Sequence, residues 1–213
     1  MKFFLDTEFI EGFSKPYFKK KRHFIDLISI GIIDENNKKL YLVSNEYNYN
    51  DADEWVRENV ILPLYISMVH GDQRNQLTVD TFHKVLGVSN DEIAKQIEIF
   101  CEGTNPEFYA YYADYDWVLF CSLFGTMMDL PKTFPMYCRD LKQMMDECQE
   151  KRNQLKQYID DSEGALSKHE ENSMVFPLHL QDHSGYPKQE NEHSAIDDAT
   201  WNYDLYKFLK KVN

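Results

Sequence analysis

The run Lys2-Phe3-Phe4-Leu5-Asp6-Thr7-Glu8-Phe9-Ile10 carries two acids, two residues apart, inside an otherwise apolar and aromatic stretch. Side chains alternate between the faces of a strand, so Asp6 and Glu8 point the same way. Like charges side by side on a buried strand repel, and they need a cation, a proton or heavy hydration. A divalent metal ion meets that need most economically; a wetted strand end carrying two acids is the plainer alternative. Two other places set acids at structural boundaries. Ala113-Asp114-Tyr115-Asp116 follows an aromatic run, and His193-Ser194-Ala195-Ile196-Asp197-Asp198-Ala199 opens a helical pattern. Acids at helix starts are also ordinary caps and partners of the helix dipole, so each place alone is a weak signal. His179 and His183, with His169 and Asp182 nearby, offer zinc-like spacing, but Pro177 and Gly185 break the helix such a site needs, and no zinc is expected there.

These groups need elements to position them. Residues 24–33 are rich in branched side chains and run into the turn Asp34-Glu35-Asn36-Asn37, after which residues 40–44 complete a hairpin. Three consecutive strands with short connections make an antiparallel start. Residues 51–59 read as a helix capped by Asp51 or Asp53 and ended by Pro63, and 64–90 as loop with short helical pieces. Asn90 opens a helix with Ile93, Ile97 and Phe100 at helical spacing. Phe108-Tyr109-Ala110-Tyr111-Tyr112 suits a buried central strand, and an apolar helix follows over 117–124. Residues 131–138 read as a short strand and 139–157 as a helix. A polar, Gly- and Pro-punctuated insertion, mobile and bounded at its widest by 148 and 192, precedes a last helix over 195–209.

This order is a mixed α/β pattern that matches a ribonuclease H-like core: three antiparallel strands, then parallel strands, flanked by helices, in one domain spanning 1–213. In such a core the first strand is central, the strand near Tyr112 lies beside it in parallel, and the last helix packs over the same end. Composition agrees with a packed domain, since 43% of the 213 residues are apolar and 15% aromatic. No apolar run approaches the roughly 18 residues of a membrane span. Cys101, Cys121, Cys138 and Cys148 form no CxxC pair, and reduced thiols in a cytoplasmic protein are the expectation. A net charge of -13 argues against electrostatic grip on long duplex nucleic acid, though not against action on chain ends. The one dense basic cluster, Lys15, Lys19, Lys20, Lys21 and Arg22, lies just beyond the Asp6/Glu8 strand.

Taken together, the three acidic places resemble the DEDDh 3'-to-5' exonucleases, whose motifs are D-x-E, an aromatic followed by Asp, and H-x4-D-A, in that order. The resemblance selects Asp116 over Asp114 and Asp198 over Asp197. Phe4-Leu5-Asp6-Thr7-Glu8-Phe9-Ile10-Glu11, Asp26-Leu27-Ile28-Ser29-Ile30-Gly31 and Arg139-Asp140-Leu141-Lys142-Gln143 look like the corresponding segments of RNase AS, the poly(A)-specific exoribonuclease group. The likeness covers residues 3–145 and 188–210; the longer stretch between Arg139 and His193 departs from the group.

The resemblance implies Asp6, Glu8, Asp116 and Asp198 as ligands of two Mg2+ or Mn2+ ions about 4 Å apart, which flank the attacking water and the leaving oxygen. His193 is then the base, because imidazole is the side chain that titrates nearest neutrality. Phe9, Tyr115 and Trp117 flank the motif acids and offer faces for stacking bases, or else pack the core. The implied substrate is the 3' end of single-stranded RNA, adenosine-rich, with its 2'-hydroxyl near Glu8, and a homodimer is one arrangement open to the chain. A DNA-directed exonuclease and a non-catalytic binding module are the alternatives; the latter becomes attractive when ligands are lost, and all five motif residues are present.

Overall fold

In the computed structural model, which describes residues 1–14, 20–161 and 179–212, the first two strands form a long hairpin. Strand β1 (Lys2–Ser14) runs antiparallel to β2 (Arg22–Asp34), and β3 (Lys39–Val43) continues the meander. Lys15 and Lys19 of the basic cluster, and His169 and Pro177, lie outside the described residues. The β2–β3 turn is closed by Asp34, whose Oδ1 accepts from the backbone N–H groups of Asn36 and Lys38, with Asn37 at φ +65°. Strands β4 (Glu107–Ala110) and β5 (Arg139–Asp140) join in parallel on the other side, giving the order β3-β2-β1-β4-β5. The acid-bearing strand is therefore central, in a mixed sheet flanked by helices as the element order implies.

Alternation along β1 divides the core. Phe3 and Leu5 face helices α4 (Asn90–Cys101) and α5 (Asp114–Leu123), packing with Ile30, Ile32, Ile97 and Phe120. Phe4 faces helices α6 (Leu141–Asp161) and α7 (Ala195–Val212), with Tyr109, Met145, Leu205 and Phe208. Ile10 and Ile28 meet a third cluster under the short helices α1 (Glu54–Val56), α2 (Leu62–Met68) and α3 (Phe82–Leu86). No helix among the described residues is long and apolar enough to cross a membrane.

Four expectations need correction. The strand expected over 108–112 ends at Ala110: Tyr111 and Tyr112 turn out of it, Tyr112 at φ +55°, and the next helix begins already at Asp114. Pro63 does not end its helix: a π turn over Arg57–Ile61, in which the Leu62 N–H reaches the Arg57 carbonyl, carries the chain past the missing proline donor into α2. None of residues 131–138, expected as a strand, is one, since Pro131 and Pro135 bring no ladder donors; the strand here is the pair Arg139 and Asp140 just beyond. Helix α6 extends to Asp161, so the first part of the expected irregular insertion is helical, continuing the buried stripe of Leu141, Met145 and Cys148. Beyond it, Leu180 is buried on the same cluster, and its N–H donates to Gln149 Oε1 at 3.0 Å.

Helix α7 lies directly on the sheet because β2 carries glycine at position 31. A Cβ there would sit 2.2 Å from the Ala195 carbonyl oxygen and 2.5 Å from the Ile196 Cα, both backbone atoms of the helix start. Further along α7 the buried Asn202 donates from Nδ2 to the Leu5 carbonyl at 2.9 Å, tying the helix to β1. Gly31→Ala must push α7 off the sheet. Overpacking of this kind typically costs about 1–3 kcal/mol, and with backbone as the obstacle the upper end is expected; urea unfolding of the variant measures it.

Candidate metal centre

Gly31 is the β2 partner of Asp6, so the close approach of α7 occurs opposite the first motif acid. Directly after Glu8 the register slips: Glu8 pairs with Ser29 but Phe9 pairs with Leu27, leaving Ile28 as the extra residue of a bulge. Bulges twist and re-aim a strand, while on its other edge Ile28 stays in the ladder with β3, its carbonyl accepting from the Ser44 N–H at 2.9 Å.

On its other edge β1 outruns β4, which accompanies it only from Lys2 to Phe4. Backbone groups beyond that point need other partners. Asp116, in the first turn of α5, supplies one: its Oδ1 accepts from the Thr7 N–H at 2.8 Å and from the Thr7 hydroxyl at 2.6 Å. The residue between the two acids of the D-x-E thus orients the third. Asp140 braces this corner, accepting from the Ala113 N–H at 2.8 Å through Oδ2 and from the Gln143 N–H at 3.0 Å through Oδ1.

The fourth acid comes from the first turn of α7. Asp198 is only 8% exposed and accepts from Gln189 Nε2 at 2.6 Å and from the His193 backbone N–H at 3.0 Å. That second bond folds the chain back before the helix and holds His193 at φ +69°, a left-handed conformation uncommon for a residue with a side chain. The imidazole meets Trp55 of α1 edge to face, centroids 4.8 Å apart.

Ligand oxygens of Asp6, Glu8 and Asp198 all lie within 4.8 Å of one another. Asp116, 6% exposed, borders the three closely enough to disturb the ionisation of both Asp6 and Glu8. Burial, then the charges of Asp116, Glu8 and Asp198, hold the Asp6 carboxyl well above its ordinary range. Burial, then Asp198 and Asp116, push Glu8 up to about 8. Burial raises Asp116 to about 6 against the pull of the Thr7 hydrogen bonds, and raises Asp198 against those from Gln189 and His193. Hard, convergent oxygen donors whose mutual repulsion discourages ionisation are a donor set that could hold a hard divalent cation, whose charge would offset that repulsion.

The sequence-selected aromatics separate. Phe9 and Tyr115 stack on each other, centroids 5.5 Å apart and 24° between planes, with Tyr115 exposed. Trp117 turns inward, stacked on Phe120 with its Nε1–H donated to the Met136 carbonyl at 3.3 Å. Asp114 is exposed at the start of α5, and Asp197 lies outside the carboxylate group. His179 is exposed and the His183 Nδ1 accepts from the Gly185 N–H, and neither joins a metal-binding group among the described residues. Sequence reading missed Thr7, Gly31, Trp55, Asp140 and Gln189. Only Gly31, a glycine inside an apolar strand, carried a local signal of close backbone approach.

No family model matches the chain. Over 150 residues it is 32% identical to proteins of two strains of Mycobacterium tuberculosis, each named a 3'-5' exoribonuclease, and the match covers 69% of this chain and 75% of each relative.

The raised carboxylates set a pH dependence of stability. A group that binds its proton more tightly folded than unfolded stabilises the fold fully below its unfolded pKa, about 4.3 for Glu, and the contribution is lost as pH rises through the folded value, about 8 for Glu8. The metal-free protein is expected to lose thermal stability from this source between those limits. Glu8→Gln should flatten the slope and raise the metal-free Tm at pH 8 by at least a few degrees, at about 2–4 °C per kcal/mol for this chain length. Saturating Mn2+ should reverse the order, stabilising the wild type more than the variant. Thermal unfolding with and without the ion decides; an unchanged slope in Glu8→Gln contradicts the account.

Proposed function

Because the chain belongs to the 3'-5' exoribonucleases, we propose that it removes nucleoside 5'-monophosphates from the 3' end of single-stranded RNA in a metal-dependent hydrolysis. The observation that carries this reading is the convergence of Asp6, Glu8 and Asp198, from strand and helix far apart in sequence, with Asp116 fixed beside them by Thr7. The finer assignment, to the DEDDh enzymes and the RNase AS group with an adenosine-rich substrate, rests on the motif residues Asp6, Glu8, Asp116, His193 and Asp198 and on the segments around them.

Asp6, Glu8, Asp116 and Asp198 are the residues that would hold the ions. Two bound divalent cations would supply charge neutralisation at the phosphate and a water acidified for attack. The carboxylates define where the scissile phosphate is drawn, and Phe9 with Tyr115 offers an aromatic platform beside them for the terminal base. His193 takes a proton from the attacking water, phosphorus binds the new oxygen, and the bond to the 3'-oxygen of the shortened RNA breaks, that oxygen taking a proton from solvent water. Two features already set the imidazole's position, the Asp198 bond to its backbone and the Trp55 ring against its edge.

Chelation should abolish release of mononucleotide from a single-stranded oligoribonucleotide, and Mg2+ or Mn2+ should restore it. Ca2+, larger and less strict in geometry, should support binding with little turnover. A matched oligodeoxyribonucleotide separates RNA from DNA specificity, and equal turnover of both would overturn the RNA assignment. Asp116→Asn and Asp198→Asn should lose nearly all activity while Asp114→Asn and Asp197→Asn keep most of it. His193→Ala should lower single-turnover rate by roughly 10²- to 10⁴-fold, the range for losing a general base, while Mn2+ binding by calorimetry stays near wild type. Wild-type turnover in that variant would assign the proton to another group.

A further inference from the structure

The outer half of the hairpin, Glu11 to Ser14 against Arg22 to Ile25, has no third strand beside it among the described residues. A two-stranded ribbon is marginal by itself, and side chains on both faces hold this one. On one face Phe9 stacks on Tyr115, the Tyr115 hydroxyl donates to Glu11 Oε1 at 3.2 Å, and His23 Nε2 lies 2.7 Å from the same oxygen. Phe13 completes the row, edge-on to the His23 ring at 5.5 Å. On the other face Gly12 leaves room for the Phe24 ring, whose Cζ would lie 2.8 Å from a Cβ at that position.

The row is built, yet it stays open to solvent. Phe13 is 61% exposed, Tyr115 is 43% exposed, and Lys20 and Lys21 are exposed next to the strand that carries His23. In a chain of net charge -13, two exposed cations on the lead-in to a strand that carries open aromatic rings are a distinctive combination. That pairing is how proteins hold single-stranded nucleic acid: rings stack bases and cations track the backbone. Phe13 lies five residues past Glu8, about 17 Å along a strand and farther than a terminal nucleotide spans, and the odd spacing puts it with Phe9 and Glu11 on the strand face opposite the Asp6 and Glu8 carboxylates.

We infer that this arm is a second RNA subsite, binding the strand upstream of the nucleotide being removed, with Phe13 stacking a base and Lys20 and Lys21 meeting phosphates. The inference rests on the exoribonuclease reading above. Glu11, the one acid in the row, is engaged by His23 and Tyr115 and so is partly screened from the incoming phosphates. The arm gives an acidic protein a local grip on a polyanion, and it makes turnover depend on substrate length.

The test compares an oligoadenylate dodecanucleotide with a diadenylate, using the full chain, its Phe13→Ala variant and the double variant Lys20→Ala/Lys21→Ala, all at exposed positions. On the dodecanucleotide, kcat/KM should fall roughly tenfold or more in each variant, while the dinucleotide, too short to reach the arm, is cleaved as by the wild type. For the lysine variant the log–log salt slope of dodecanucleotide binding should also shrink by about 1.4, the counterion release of two phosphates on a single strand. Equal losses on both lengths, or no loss on either, overturn the subsite. If the wild type hydrolyses neither RNA, the exoribonuclease reading fails separately, and dodecanucleotide affinity in the variants at about 50 mM salt still judges the arm.

Discussion

Asp6, Glu8 and Asp198 are driven apart by charge and outward by desolvation, and the fold holds their oxygens within 4.8 Å of one another. Much of the structure serves that restraint. Gly31 lets the backbone of α7 rest against the sheet opposite Asp6, where even a methyl group would collide with it. The Asn202 amide ties the same helix to the Leu5 carbonyl on β1. Close packing cannot relax around such a contact without moving the helix, so a backbone constraint, more than attraction between the functional groups, sets the geometry of the centre.

The acids are held in two manners. Asp116 is fixed by Thr7, its backbone and hydroxyl both turned toward one carboxylate oxygen, at an edge where β1 has outrun its parallel neighbour. Asp198 is fixed by Gln189 and by the His193 backbone, which lie in the irregular segment before its helix. The proposed base is thereby coupled to a proposed ligand. His193 keeps a left-handed backbone that costs energy, and it is sustained by the hydrogen bond to the carboxylate five residues later.

The raised pKa values of Asp6 and Glu8 fit this arrangement. On the proposed metal-dependent reading, the repulsion that raises these carboxylates is the repulsion a bound cation would relieve, which would link ion binding to local order. The strand that carries Asp6 and Glu8 also runs on, with Phe9, Glu11 and Phe13 on its opposite face, into the hairpin arm, so the centre and the arm share one continuous strand.

Much was legible in the sequence by itself. Period-2 alternation placed Asp6 and Glu8 on one face, the turn at Asp34 to Asn37 set the hairpin, and the order of strands and helices implied a mixed sheet, because these depend on local chemistry and short-range pattern; β1 at its centre followed from the match of that order to a ribonuclease H-like core. The choice of Asp116 and Asp198 over their neighbours was legible only through resemblance to known motifs. Tertiary structure alone decided the rest: Trp55 against His193, Asn202 on Leu5, Thr7 holding Asp116, and Trp117 turned into the core. It also overruled Pro63 as a helix end, since a π turn on a packed surface supplied what the local rule lacked. Trp55 and His193, Asn202 and Leu5, and Thr7 and Asp116 each lie more than a hundred residues apart in the chain. Neither member signals the other in its own segment, and only the docking of helices on the sheet brings them within reach.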